Sequence, residues 1–158
     1  MPAIPDITQE HLQRIAAFYD LAPTRHNWTA RSYRRLLAHY YNNLIPPGAS
    51  VLEVGCGSGE LLAQIHAGRK VGIDLSTRQI EAARLRVPGA QFHVQAGETL
   101  ELAETFDYII ISETLNLAAD AQRLLLQLHK VTHPESRLII NFFSSLWRPP
   151  LAVARWFG

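Results

Sequence analysis

Three glycines in alternate positions, Gly55, Gly57 and Gly59, follow an apolar run in the stretch ASVLEVGCGSGE. Acids surround them: Glu53 before, Glu60 after, and Asp74 at the end of the later run VGID. A glycine turn at a strand exit lets the backbone come close to a ligand. The dinucleotide pattern G-x-G-x-x-G needs glycine at position 60, where this chain has Glu60. An acid at a helix start suits the macrodipole but opposes a diphosphate, which wants the same positive end. No G-K-[ST] follows, so a phosphate-gripping ATPase loop is excluded as well. The turn therefore suits a ligand without phosphates, one that can carry positive charge. Asp74 stands where a ribose-binding carboxylate belongs after a first glycine at Gly55. Nicotinamide dinucleotides and adenosyl ligands both need that carboxylate, so it indicates a ribose and no more.

These residues need a frame. Ile7 to Leu21 has the spacing of a helix stopped before Pro23. A second helix carries Tyr33, Leu36, Leu37, Tyr40, Tyr41 and Leu44 on one face and ends at Pro46-Pro47-Gly48. Five short β-branched runs follow: Val51–Val54, Val71–Asp74, Phe92–Gln95, Tyr108–Ile111 and Leu138–Phe142. Ser76 with Gln79 forms a capping box for a helix reaching Arg86, and Asp120 caps another through Leu124 and Leu128. Strands alternating with helical stretches predict an α/β doubly wound, mostly parallel five-stranded sheet preceded by two helices. In such a fold ligands sit beyond the carboxyl ends of the strands, where strand order reverses. The expected organisation is a single domain over 1–158: a helical cap over 1–47, the core sheet over 48–143, and the start of a further helix over 144–158.

Composition narrows the class. The chain has 158 residues, 47% of them hydrophobic, with a formal net charge of +1. That is one ordinary globular domain without the basic stripe a nucleic-acid binder needs. One cysteine, Cys56, cannot form an internal disulfide, and no apolar run approaches the roughly 20 residues that span a bilayer. The start of the chain does not read as a signal peptide, so a cytoplasmic location is expected. His129 and His133 have metal-like spacing, but no third ligand is near, and a structural role is expected.

VLEVGCGSGELL, followed by VGIDLS, AGETLEL and FDYIIISETLN, resembles the motif series of class I S-adenosylmethionine (SAM)-dependent methyltransferases over about Ile45 to Phe143. The segments FYDLAPTRHNWTARSYRRLL and SSLWRPPLAVARWFG are similar to methyltransferase modules fused to glycosyltransferases. The resemblance implies SAM as cofactor and S-adenosyl-L-homocysteine as product. It places Gly55, Cys56 and Gly57 along the methionine moiety, with Glu53 shaping the turn. Asp74 would hold the ribose hydroxyls, Leu75 would pack on the adenine, and Gly97 and Glu98 would edge it. Ser112 and Glu113 would face the methionine amino group and the acceptor mouth. Tyr19 would close as a lid, and Arg31 would pair with the methionine carboxylate. The family commonly has aspartate where this chain has Ala96, so one hydrogen bond to the adenine amine is missing.

Methyl transfer is an in-line displacement in which alignment is the main task, and a base helps chiefly when a hydroxyl is the acceptor. His26, His39, Tyr40 and Glu113 are candidate bases that nothing ranks, so the catalytic residue is left open. The expected acceptor is a small molecule or glycan-like compound. The rival readings are a SAM-binding module without catalysis and an NAD-dependent oxidoreductase. Family members add two strands beside the fifth, so an open edge here predicts either a longer protein with a fused domain or a homodimer.

Overall fold

A computed structural model of the chain describes residues 7–21 and 28–142, with side chains described over 9–21 and 31–142. Five strands, β1 (Ser50–Val54), β2 (Arg69–Asp74), β3 (Gln91–Val94), β4 (Tyr108–Ser112) and β5 (Arg137–Asn141), form one sheet in the order β3-β2-β1-β4-β5. All four pairings are parallel. The doubly wound class expected from the sequence is therefore the class observed, and strand order reverses between β1 and β4.

Side-chain alternation distributes the core between the two faces. Val51 and Ile110 join Ala38, Tyr41, Ile45, Ile80 and Ala83 on one side; Leu52, Val54, Ile109 and Ile111 join Phe106, Leu124 and Leu128 on the other. Each fully buried isoleucine or leucine contributes about 1.5–3 kcal/mol by leaving water. The same alternation turns Glu53 toward the face that carries Tyr41.

Helices α1 (Ile7–Leu21), α2 (Trp28–Leu44), α3 (Thr77–Arg86) and α4 (Ala121–His129) flank the sheet. The expected caps form: Ser76 Oγ accepts from the Gln79 amide at 3.1 Å, and Asp120 Oδ1 from the Arg123 amide at 2.9 Å. On α2 the inward stripe is Leu37, Ala38 and Tyr41, continued by Ile45. Leu36, Tyr40 and Leu44 are more than half exposed, so the single face expected from spacing splits in two. None of the described helices is long and apolar enough to cross a membrane. Residues 143–158, where a further helix was expected, lie outside the described set, as does His26.

One expectation fails. Glu60 was placed at the mouth of a helix after β1, but the chain there runs through turns into a single 3₁₀ turn, Leu62–Gln64. Asn42 of α2 ends it, donating from Nδ2 to the Gln64 carbonyl at 2.9 Å and accepting the His66 amide at 2.8 Å. Gly68 then turns so tightly against Gly48 that a Cβ would lie 2.8 Å from the Gly48 carbonyl oxygen. The crossover between β1 and β2 thus forms no α-helix.

Candidate active site

The glycine turn is fastened to β2 rather than left open. The amides of Gly55 and Cys56 both donate to the Ile73 carbonyl, at 2.8 and 3.0 Å, and the Gly57 amide donates to Asp74 Oδ2 at 2.8 Å. All three glycines have positive φ. At Gly55 a side chain is excluded outright, because a Cβ would fall 2.1 Å from Thr114 Oγ1. The loops after β1 and β4 meet there, at the point where strand order reverses.

A cavity of about 650 Å³ opens at that junction. Tyr19, Glu53, Gly55, Cys56, Gly57, Asp74, Leu75, Gly97, Glu98, Ser112 and Glu113 line it, together with Leu12, Ile15, Arg34, Glu60 and Thr114. Arg31 does not: it is exposed on α2. Arg34, almost one helical turn on, shares the inward side with Leu37 and Ala38, so the helix period puts Arg34 rather than Arg31 at the cavity. His39 and Tyr40 are exposed and stack edge-on with ring centroids 5.8 Å apart, away from the cavity lining.

The acids fall into distinct roles. Asp74 Oδ1 accepts the Ser76 amide at 2.9 Å while Oδ2 holds Gly57. Burial raises its pKa and those amide bonds oppose the rise. A carboxylate has about four lone-pair sites, so two backbone bonds leave it able to accept two more. Glu53 is 3% exposed, and its Oε2 has no partner among the described residues. Burial pushes its carboxyl up to about 8, against the pull of Arg34. Glu60 lies between two guanidiniums, 3.6 Å from Arg34 and 3.7 Å from Arg86, which offset its charge. Its negative contribution is therefore smaller than the sequence implied. Buried Glu98 accepts the Ala119 amide at 2.9 Å, pinning the loop after β4 to the turn after β3. Gly97 is needed at that seam, since a Cβ would meet Leu124 at 2.9 Å.

Cys56 is buried with its thiol held well above the usual range by burial and by Glu53 and Asp74, which suits a small packing residue and not a nucleophile. Among the described residues no His, Cys, Asp and Glu group could hold a metal. His133 instead pairs with Asp107 at 3.1 Å, below the opposite end of the sheet.

Sequence reasoning missed Asp20. Its Oδ1 accepts from Ser76 Oγ at 2.5 Å and from the Arg78 amide at 3.3 Å, and Arg78 Nη1 returns a bond to the Asp20 carbonyl at 2.9 Å. This latch docks the end of α1 on the start of α3 and holds Tyr19 at the cavity, where burial and then Asp74 and Glu113 raise its phenol pKa. The acid beside Tyr19 was the only available signal.

Residues 45–154 match the family described as a methyltransferase domain. The chain is 35% identical over 120 residues to a ubiquinone biosynthesis O-methyltransferase of Xanthomonas axonopodis pv. citri, covering 70% of this chain and 48% of that protein. It is 34% identical over 103 residues to the O-methyltransferase cnsE of Penicillium expansum, covering 59% and 37%. The chain thus spans about half or less of the length of these curated relatives. In fold it is similar to the N-methyltransferase NodS of Bradyrhizobium japonicum WM9, solved with S-adenosyl-L-homocysteine, with a TM-score of 0.65 at 24% identity over 85% of this chain and 72% of that one. The glycine turn, the acid ending β2 and the family match agree: this chain belongs to the class I SAM-dependent methyltransferase family.

Proposed function

We propose that the chain transfers a methyl group from S-adenosyl-L-methionine to a small-molecule or glycan-like acceptor, leaving S-adenosyl-L-homocysteine. One observation carries this reading: the amides of Gly55, Cys56 and Gly57 are all consumed by Ile73 and Asp74. A diphosphate needs free amides at a helix N-terminus, and here the amides are taken and only a 3₁₀ turn follows. What faces a ligand is acidic, from Asp74 and Glu113, with the buried Glu53 ready to ionise beside a cation. That favours a cation over NAD.

The residues fit such a ligand. The cavity volume lies within the range of small-molecule sites. Apart from its chain neighbours, nothing lies within 4 Å of where a Cβ at Gly57 would be, so the turn leaves open space for the methionine end. Asp74 keeps lone pairs for two ribose hydroxyls, Leu75 supplies an apolar surface for a base, and Gly97 and Glu98 form the wall beyond it. Arg34, in place of Arg31, is the cation available to the methionine carboxylate. Tyr19, on the cavity wall, would close over the ligand and exclude water.

When bound, the sulfonium supplies an activated methyl group. The protein's part is to hold that carbon in line with the acceptor at about 3–3.5 Å, which contributes several kcal/mol without a catalytic side chain. Isothermal titration with SAM, S-adenosylhomocysteine and NADH tests the reading, followed by transfer of labelled methyl across an acceptor panel. Binding of the two adenosyl compounds and not NADH, with turnover, is expected. Binding without turnover would leave a non-catalytic SAM-binding module, and NADH binding alone would contradict the reading.

A further inference from the structure

Of the four candidate bases, Glu113 alone lines the cavity among the described residues: His39 and Tyr40 are exposed away from it, and His26 lies outside the described set. Four other carboxylates line it, and none of them is available. Asp74 holds the Gly57 and Ser76 amides, Glu98 holds the Ala119 amide, and Glu60 lies between Arg34 and Arg86. Glu53 is 3% exposed, with Oε2 sealed from the cavity. Glu113 differs from all four. It is half-buried, its carboxylate has no hydrogen-bond or ion-pair partner among the described residues, and its oxygens are accessible. Its backbone has a φ of 59°, a left-handed conformation that residues other than glycine seldom adopt. Contacts on both sides hold it there. The Glu113 amide donates to the Asn141 carbonyl of β5 at 3.2 Å, and Asn141 is tied in turn to α2, donating from Nδ2 to the Tyr33 hydroxyl at 3.1 Å. Beyond it, Thr114 Oγ1 donates to the Ser112 carbonyl at 3.0 Å while the Thr114 side chain lies against Gly55. Such strain persists where the surroundings impose it, and it gathers at active sites.

Resting on the methyl-transfer reading above, we propose that Glu113 is the general base that takes the acceptor's proton. Sheet order supplies the placement. Asp74 ends β2, and Gly97 and Glu98 follow β3, so in the proposed pose the ribose and adenine lie on that side of the glycine turn. β4 lies on the opposite side of β1, and Glu113 follows it directly, one residue from the Thr114 that meets Gly55. The other two arms of the sulfonium run along the turn and over β2, which leaves the β4 side for its methyl group. In-line displacement puts the acceptor beyond that methyl, beside Glu113. The acceptor gives one O–H or N–H proton to a Glu113 oxygen, and the pair left on that oxygen or nitrogen forms the bond to the methyl carbon. The C–S bond breaks, and sulfur keeps that pair as a neutral thioether. The acceptor is therefore a hydroxyl or an amine. A carboxylate acceptor has no proton to give and meets Glu113 as a like charge.

Sinefungin tests the placement without an acceptor. In this analogue of S-adenosylhomocysteine a carbon bearing an amino group replaces the sulfur, so an ammonium stands where SAM carries its methyl. Both compounds are titrated into the unaltered protein and into Glu113→Gln. The substitution should weaken sinefungin by about tenfold or more and leave S-adenosylhomocysteine within about twofold. Labelled SAM is then offered with catechol, 2-phenylethylamine and glucosamine. For whichever is methylated, Glu113→Gln should lower kcat by about a hundredfold or more, with the KM for SAM within about twofold. Glu113→Asn, which tolerates the left-handed backbone, replaces that variant if it fails to bind S-adenosylhomocysteine. Equal loss for the two analogues would assign Glu113 to the methionine ammonium, and no loss for either would take it out of the site; each result overturns the base. Transfer at an unchanged kcat in Glu113→Gln would overturn it as well. Failure of the unaltered protein to bind either adenosyl compound, or binding with no transfer to any acceptor, would instead overturn the methyl-transfer reading beneath it.

Discussion

Asp74 binds the Gly57 amide at 2.8 Å, so the carboxylate that ends β2 sets the shape of the glycine turn that follows β1. The bond joins two residues that act on one ligand in the proposed function. Any change at Asp74 is therefore felt twice, once in the turn and once in the ligand contacts.

Asp74→Asn separates the two effects. Asparagine retains one acceptor oxygen and turns an NH₂ group toward either the Gly57 or the Ser76 amide, leaving a buried donor unmet. The expected loss of stability is about 1–3 kcal/mol, read from urea unfolding. SAM affinity should fall by at least about tenfold, roughly 1.4 kcal/mol. A variant with unchanged affinity would remove Asp74 from the ligand site.

Gly55→Ala places a methyl group against Thr114 on a left-handed backbone. The overlap and the strain should together cost about 1–3 kcal/mol and weaken S-adenosylhomocysteine binding. Adding Thr114→Gly should recover part of the loss, since it removes the overlap but not the φ penalty. A double-mutant cycle with no coupling would show that the two loops do not meet as described.

Much of this was legible in the sequence because it is local. Strand positions follow from β-branched runs, and the Ser76 and Asp120 caps depend on residues three apart. The turn glycines and Asp74 are recognisable from type and spacing alone. What escaped was set by partners distant in sequence. No periodicity of residues 61–65 reveals that Asn42 will intercept them, and the choice of Arg34 over Arg31 depends on how α2 is rotated against the sheet. The Tyr33–Asn141 pair spans two separate elements that only the fold brings together. The two exposed leucines and Tyr40 on α2 were misread for a related reason, since apolar spacing does not say which of two adjacent stripes faces inward.

Asp20→Ala removes the latch between α1 and α3. Hydrogen exchange over residues 9–21 should accelerate, while the strands keep their protection, because Asp20 fastens α1 without entering the sheet core. S-adenosylhomocysteine affinity should fall several-fold through loss of the Tyr19 cover. Unchanged exchange in α1 would show that packing alone holds the helix.

Glu53 predicts a pH dependence with a definite sign. Burial keeps its carboxyl protonated up to about pH 8 in the folded chain, whereas the unfolded chain ionises near about 4.3. Between those limits the folded state binds the extra proton, so ligand-free stability is full at low pH and declines as pH rises toward 8. Glu53→Gln should flatten that slope. A cation bound nearby favours the ionised form, so SAM binding near pH 7 should release protons. Titrations in phosphate and Tris would then give different apparent enthalpies, and identical values in both buffers would count against Glu53 as the responding group.

The most direct measurement is a calorimetric titration of the intact chain with S-adenosylhomocysteine, repeated under the same conditions with NADH. A saturable heat for the adenosyl thioether, abolished in Asp74→Ala, with none for NADH at about 1 mM, near −4 kcal/mol of binding, is the predicted result. Saturable NADH binding with no response to S-adenosylhomocysteine would contradict a cavity lined by carboxylates whose turn amides are already taken.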